Sequence, residues 1–177
     1  LLCCLGEGAV PTDAGWLEEL ASHALRPEVG AVGPHVRRLD GHAGAGEMTM
    51  RRDGLEGPPW LPPGPRRHAL RNVAALTSAC LVLRRAEFQA AGGFDAELTP
   101  AAAVLDLCLR LRQRGYWLVL TPFAEVEDAG GENEEDHIEA VEDPFANPNL
   151  VWQAGKAAFA MPSPAPRPWE HWAPTSP

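Results

Sequence analysis

Four carboxylates in or beside the apolar stretches are of a type that can do chemistry. Glu7 lies between two glycines after the run 1–5, and Asp95 closes the turn Gly92-Gly93-Phe94. Asp106 sits within an amphipathic stretch, and Asp128 follows the apolar run 116–126. Ionised carboxylates are oxygen ligands for hard cations, and one within reach of a hydroxyl can take its proton. Asp106 has a competing use, because Arg110 is four residues on and such a pair closes an ion bridge along a helix. Other reactive arrangements are weaker. The 6 histidines (23, 35, 42, 68, 137 and 171) show neither H-x-H nor H-E-x-x-H spacing, which argues against a zinc site. Ser78 lacks the G-x-S-x-G elbow of a serine hydrolase. The acidic stretch 132–136 with His137 suits either a cation or a solvated loop.

The elements that must position these groups alternate between strand and helix. Residues 1–5 form a continuous apolar run ended by Gly6-Glu7-Gly8, which predicts a central strand of a parallel sheet. Thr12 or Asp13 is placed to cap a helix over 14–25, with Trp16, Leu17, Leu20, Ala21 and Ala24 on one stripe and Arg26-Pro27 as its stop. Residues 29–36 predict a strand. Residues 39–71 are rich in Gly, Pro and Arg without periodicity, which predicts a lid or a disordered loop. A strand over 73–83 runs into a short helix at 85–91 that Gly92-Gly93 ends. A second helix over 103–114 places Val104, Leu107, Cys108 and Leu111 on one face, with Gly115 as its stop, and a strand at 116–126 follows. The acidic stretch 130–142 and the Pro-rich tail beyond it read as exposed and extended. Alternating strands and helices make this an α/β chain.

Composition narrows the function. The 177 residues suffice for one domain with a core, but the 18 prolines and 17 glycines concentrate in 41–65 and 161–177. A net charge of −9 argues against a nucleic-acid backbone as partner. Local pairs such as Arg51-Arg52 and Arg66-Arg67 either attract an anionic head group or diphosphate, or are solvated loop charges. The 4 cysteines (Cys3, Cys4, Cys80, Cys108) fall in apolar patterns without C-x-x-C spacing, and are expected to be reduced core residues of a cytoplasmic protein. No run reaches the ~20 apolar residues of a membrane span. The apolar start lacks the basic region of a signal peptide and reads as a strand entered in mid-fold, which predicts a fragment or truncated product.

Several passages, in order, resemble the acceptor-side half of family 2 glycosyltransferases with the GT-A fold. Trp16-Leu17-Glu18-Glu19-Leu20 and the passage from Arg26 to Pro34 are similar to the family's "WLeeL…rpevGavGp". Ala79-Cys80-Leu81-Val82-Leu83-Arg84-Arg85 with Gly92-Gly93-Phe94-Asp95 resembles "aClLvrR…vGGFDe". The run Asp106-Leu107-Cys108-Leu109-Arg110-Leu111, Gly115-Tyr116 and Thr121-Pro122-Phe123-Ala124 resembles "DvDLClRlr.kGyrvvytPyA". Asp143-Pro144-Phe145-Ala146-Asn147-Pro148-Asn149-Leu150 resembles the "DPyyNPNLs" of rhamnosyltransferase-like, cell-surface polysaccharide members.

The resemblance implies a partial GT-A, Rossmann-like mixed sheet flanked by helices over residues 1–150, its nucleotide-binding strands missing, and a Pro/Trp-rich tail over 151–177. It implies transfer of a sugar from a nucleotide-diphosphate donor to a glycan or lipid-linked acceptor, with Mg²⁺ or Mn²⁺. Glu7, in the turn matching the family's D-x-D-type element, and Asp128, at the position of a family histidine, are the candidate metal residues. Asp106 and Asp95 are the candidate catalytic residues, Asp95 toward the acceptor hydroxyls. The family's base falls on Val104, preceded by Ala103, and neither takes a proton. An alternative is therefore an inactive glycosyltransferase-like module that binds a glycan or a partner chain. Trp152, Trp169 and Trp172 either stack on sugar rings or pack on the domain surface. Peripheral contact at the inner membrane face belongs to the same expectation.

Overall fold

A computed structural model of the protein describes residues 1–38, 47–51, 54–56, 69–129, 150–153 and 156–159. The chain divides into two compact units, Leu1–Asp143 and Pro144–Pro177. In the first, β1 (Leu2–Leu5), β2 (Ala9–Pro11), α1 (Trp16–Ala24) and β3 (Val29–Arg38) are followed by β4 (Glu47–Arg51) and β5 (Gly54–Glu56). Next come β6 (Arg71–Asn72), β7 (Ala75–Leu76), β8 (Cys80–Leu83), α2 (Arg85–Ala90), α3 (Pro100–Gln113) and β9 (Trp117–Asp128). The second unit contains a hairpin of β10 (Leu150–Gln153) and β11 (Lys156–Phe159).

The main sheet runs β1-β8-β3-β9-β2, with β6 also on β9. Only β3 and β9 pair in parallel; the other pairs are antiparallel. Successive side chains of a strand point to opposite faces, and here both faces are covered. Ala31, Leu81, Leu83, Leu118 and Leu120 pack on the α3 side, while Val32, Cys80, Val82 and Val119 pack on the α1 side with Leu20 and Ala24. A sheet buried on both sides reads as unbroken apolar sequence, which explains the runs Cys80-Leu81-Val82-Leu83 and Leu118-Val119-Leu120.

α3 starts at Thr99, whose hydroxyl accepts from the Ala102 amide at 3.4 Å, with Pro100 in the first turn. It is buried on more than the expected stripe, since Leu105 and Leu109 are covered as well as Val104, Leu107, Cys108 and Leu111. Burying each such leucine is worth roughly 1.5–3 kcal/mol. The Cys108 thiol accepts from the Leu76 amide at 3.5 Å, tying α3 to β7. A Cβ on Gly30 of β3 would stand 2.7 Å from the Cβ of Tyr116, just before β9, and 3.4 Å from that of Leu111 on α3.

The β3–β9 pairing shifts register between Pro34 and His35, so that Pro34 faces Thr121 but His35 faces Glu125. The extra residues of β9 start at Pro122, which has no amide hydrogen to lose. The next amide, Phe123, donates to the Thr121 hydroxyl oxygen at 3.2 Å. Thr121 is fully buried and donates to Glu19 Oε1 on α1 at 2.6 Å; His23 Nε2 meets the same oxygen at 3.1 Å. Thr121, the one polar side chain buried in the core among the described residues, thus satisfies the bulge and fastens α1 to it.

Several expectations are corrected. β1 is not a central parallel strand: it pairs only with β8, antiparallel, and stands at the end of the sheet path. Its burial alternates, which leaves Cys3 exposed and not in the core. The apolar stretch 73–83 is not one strand. It breaks into β7, on the small sheet β5-β4-β7, and β8, on the main sheet. Neither Thr12 nor Asp13 is the cap of α1. Gly15 occupies that place, Asp13 Oδ1 accepts from its amide at 2.8 Å, and the Thr12 hydroxyl donates to the Glu125 carbonyl at 3.1 Å. The stretch 39–71 includes β4, β5 and, in its last residues 69–71, the start of β6, while its other residues, like the acidic stretch 130–142, Trp169 and Trp172, lie outside the described residues.

Two outcomes follow from this packing. Gly30→Ala should lower stability in urea unfolding by about 1–3 kcal/mol, because helix or strand must move to admit the methyl. Burial raises the Cys108 thiol from 9.0 to about 11. A folded value above the unfolded one means that its contribution is complete below about pH 9 and is lost as pH rises through about 11. The urea midpoint should fall over that window, and less steeply in Cys108→Ala.

Candidate functional site

The turn after β1 is built by close backbone approach. The Gly6 amide donates to the Ala79 carbonyl at 2.9 Å, and a Cβ on Gly6 would meet the Ser78 carbonyl oxygen at 2.9 Å. Gly8 takes φ +84°, a left-handed conformation suited to glycine. Its carbonyl accepts from the Ala129 amide at 3.1 Å, and Ala9 pairs with Asp128. The fold therefore brings exposed Glu7 and half-buried Asp128, far apart in sequence, to one end of the sheet. No group of three or more His, Cys, Asp or Glu side chains able to hold a metal is present among the described residues. Two carboxylates match the way Mg²⁺ is held when substrate phosphates and water supply its other oxygens.

Alongside, Arg37 forms an ion pair with Glu127 and approaches Glu125 at 3.5 Å, so the outer carboxylates of β9 are partly neutralised. The Thr77 hydroxyl, two residues before Ala79, is buried without a hydrogen-bond partner. A buried orphan hydroxyl is costly. Sequence reading passed over Thr77, since nothing in the residue types around it marks an unpaired group.

The second pair of candidate residues is organised by Arg110. Its Nε donates to Asp106 Oδ2 at 2.9 Å, one terminal nitrogen donates to the Gly93 carbonyl at 2.7 Å, and the other reaches the Ala91 carbonyl. Asp106 thus orients a guanidinium that clamps the glycine turn onto α3. Gly92 and Gly93 take φ +94° and +74°, and their amides return to the Gln89 and Phe88 carbonyls at 3.0 and 2.9 Å. Phe94 packs edge-on against Phe88, with ring centroids 5.1 Å apart. Asp95 follows, exposed, its Oδ1 accepting from the Glu97 amide at 3.0 Å. Ala103 and Val104 are each only 6% exposed.

Comparison with known proteins agrees with this geometry. The chain is 36% identical over 129 residues to the "O-antigen biosynthesis protein RfbC" of Myxococcus xanthus, covering 68% of this chain and 10% of that protein. It is 34% identical over 128 residues to the "N-acetylglucosaminyl-diphospho-decaprenol L-rhamnosyltransferase" of Mycobacterium tuberculosis, covering 63% of this chain and 41% of that protein. The crystal structure of GalNAc-T7 with UDP, GalNAc and Mn²⁺ superposes at a TM-score of 0.54 with 14% identity, over 73% of this chain and 27% of that one. The chain is thus similar in sequence to glycosyltransferases of surface-polysaccharide synthesis, and its fold is a partial GT-A fold. No family model matches it. It spans between about a tenth and two fifths of the length of these curated relatives. The mixed α/β sheet expected for a glycosyltransferase-like chain is the one observed.

The Arg110 clamp has a measurable signature. Arg110→Ala should cost about 1.5–3 kcal/mol in urea unfolding, through loss of charged hydrogen bonds to the turn. Combined with Asp106→Ala, the loss should fall short of the sum by more than about 0.5 kcal/mol, as a double-mutant cycle would register.

Proposed function

We propose that this chain is the acceptor-side part of a glycosyltransferase that moves a sugar from a nucleotide-diphosphate donor to a cell-surface glycan or lipid-linked acceptor. The observation that carries the reading is the joining of the Gly6-Glu7-Gly8 turn to the end of β9, which gathers Glu7 and Asp128 at one end of a GT-A-like sheet. The two relatives support it, one named for O-antigen biosynthesis and one for rhamnosyl transfer. Rhamnose is accordingly the donor sugar to try first.

Each residue then has a role. Glu7 and Asp128 would hold a divalent cation, which supplies charge neutralisation at the leaving diphosphate. Asp95, exposed on its glycine turn, would accept hydrogen bonds from acceptor hydroxyls. Asp106 holds Arg110, and through it the turn that presents Asp95. A direct catalytic role for Asp106 competes with that ion pair. The setting is cytoplasmic, where nucleotide sugars are made. Among the described residues no helix is long and apolar enough to cross a membrane.

A second reading is favoured by one specific observation: buried Ala103 and Val104 occupy the place of a base. A chain without that base would bind a glycan or a partner chain without turning over. Incubating the 177-residue chain with nucleotide-diphosphate rhamnose and Mn²⁺, beside its Glu7→Ala and Asp95→Ala variants, separates the readings. The enzyme reading expects metal-dependent release of nucleotide diphosphate, lowered at least about 10-fold by Glu7→Ala. Absence of turnover with retained glycan binding would favour the binding module. Mn²⁺ titration followed by electron paramagnetic resonance supplies an independent readout, with weaker binding expected in Glu7→Ala.

A further inference from the structure

The other end of the main sheet carries a feature that sugar transfer does not use. Four segments converge where β3 and β9 begin. The Trp117 amide donates to the Glu28 carbonyl at 2.9 Å, and Val29 pairs with Trp117. The Arg84 guanidinium donates to the Ala24 and Pro27 carbonyls at 3.0 and 3.1 Å and to that of Arg26, and it lies 5.6 Å from the Tyr116 ring centre. Tyr116 in turn donates to Glu87 at 2.5 Å. These bonds lock the end of α1, the start of α2 and the end of α3 into one surface.

That surface is basic in an acidic chain. Arg26, Arg85 and Arg114 are all exposed on it, while the net charge of the whole chain is −9. Of its acids, Glu87 is already engaged by Arg84 and Tyr116, which leaves Glu28 exposed. Among the arginines stand two exposed apolar side chains, Leu25 at 65% and Trp117 at 53%. Two apolar side chains ringed by guanidinium groups are too little for the apolar centre of a stable protein interface. They match the water–lipid boundary, where Trp sits at headgroup level and Arg meets lipid phosphate.

We propose that this end of the molecule, formed by Leu25, Arg26, Arg85, Arg114 and Trp117, docks on the surface of a membrane containing anionic phospholipid. The three arginines meet headgroup phosphates, and Trp117 and Leu25 enter the boundary layer. Asp128 lies at the far end of the strand that Trp117 opens, opposite the far end of the 10-residue β3 and so roughly 25–30 Å away. A docked chain therefore leaves Glu7 and Asp128 facing away from the headgroups. The surface stands on different residues from the proposed sugar-transfer site, so failure of either leaves the other intact.

The test is co-sedimentation of the 177-residue chain with vesicles of phosphatidylcholine alone and of phosphatidylcholine mixed with phosphatidylglycerol. The expected result is binding to the mixed vesicles, weakened by salt, and little to the neutral ones. Arg26→Gln, Arg85→Gln and Arg114→Gln together should lower the partition coefficient roughly 100-fold, at about five-fold per arginine. Leu25→Ser should remove most of the binding that survives high salt. All four positions are exposed, so circular dichroism should be unchanged. Equal binding to neutral vesicles, no binding to mixed ones, or binding unaffected by the triple substitution would overturn the proposal. Capture on polyglutamate beads without vesicle binding would overturn it in favour of an acidic protein partner.

Discussion

The parallel pairing of β3 with β9 is the constraint on which the rest of the molecule depends. It is the one parallel contact of the main sheet, and it runs nearly the full length of both strands. Parallel strands need both faces covered, because each presents apolar side chains in two directions. α1 covers one face and α3 the other, and each helix is fastened by a polar contact as well as by packing. Thr121 meets Glu19 on the α1 side, and the Cys108 thiol meets the Leu76 amide on the α3 side. Because β9 outruns a simple strand, its second half reaches β2 and carries Asp128 to the turn that holds Glu7.

The same strand explains why the chemistry and the basic surface lie apart. Trp117 opens β9 among the ends of α1 and α3, whereas Asp128 closes it beside Gly8. The bulge at 122–124 sits between them and lets the strand keep Ala124 and Val126 buried while Glu125 and Glu127 face Arg37. Without that extra length the alternation would place a carboxylate in the core.

Asp106 shows how one residue serves two accounts. Its spacing from Arg110 pointed to an ion pair, and the pair forms. The motif resemblance pointed to a catalytic segment, and the pair clamps the turn that presents Asp95. Ala103 and Val104, the buried neighbours of Asp106, pack the same helix into the core.

The elements whose cause is local were legible in the residues themselves. α3 could be read from its apolar spacing and the Gly115 stop, although it starts at Pro100 and not at the expected 103; the turn at Gly92-Gly93 could be read from two residues that accept positive φ, and β9 from its apolar run. The scaffold, too, was legible from ordered motifs, because packing positions leave the strongest trace in sequence. What lay outside that reach was partnership. Residues 1–5 and 80–83 look equally apolar, yet one stands at the end of the sheet path and the other is flanked on both sides, which depends on distant segments. The break of 73–83 into two sheets, the orphan hydroxyl of Thr77 and the joining of the Gly6-Glu7-Gly8 turn to the end of β9 are likewise set by long-range contacts. Residue type and spacing decide which local conformation is cheap, whereas the choice of neighbour is decided only when the chain closes on itself.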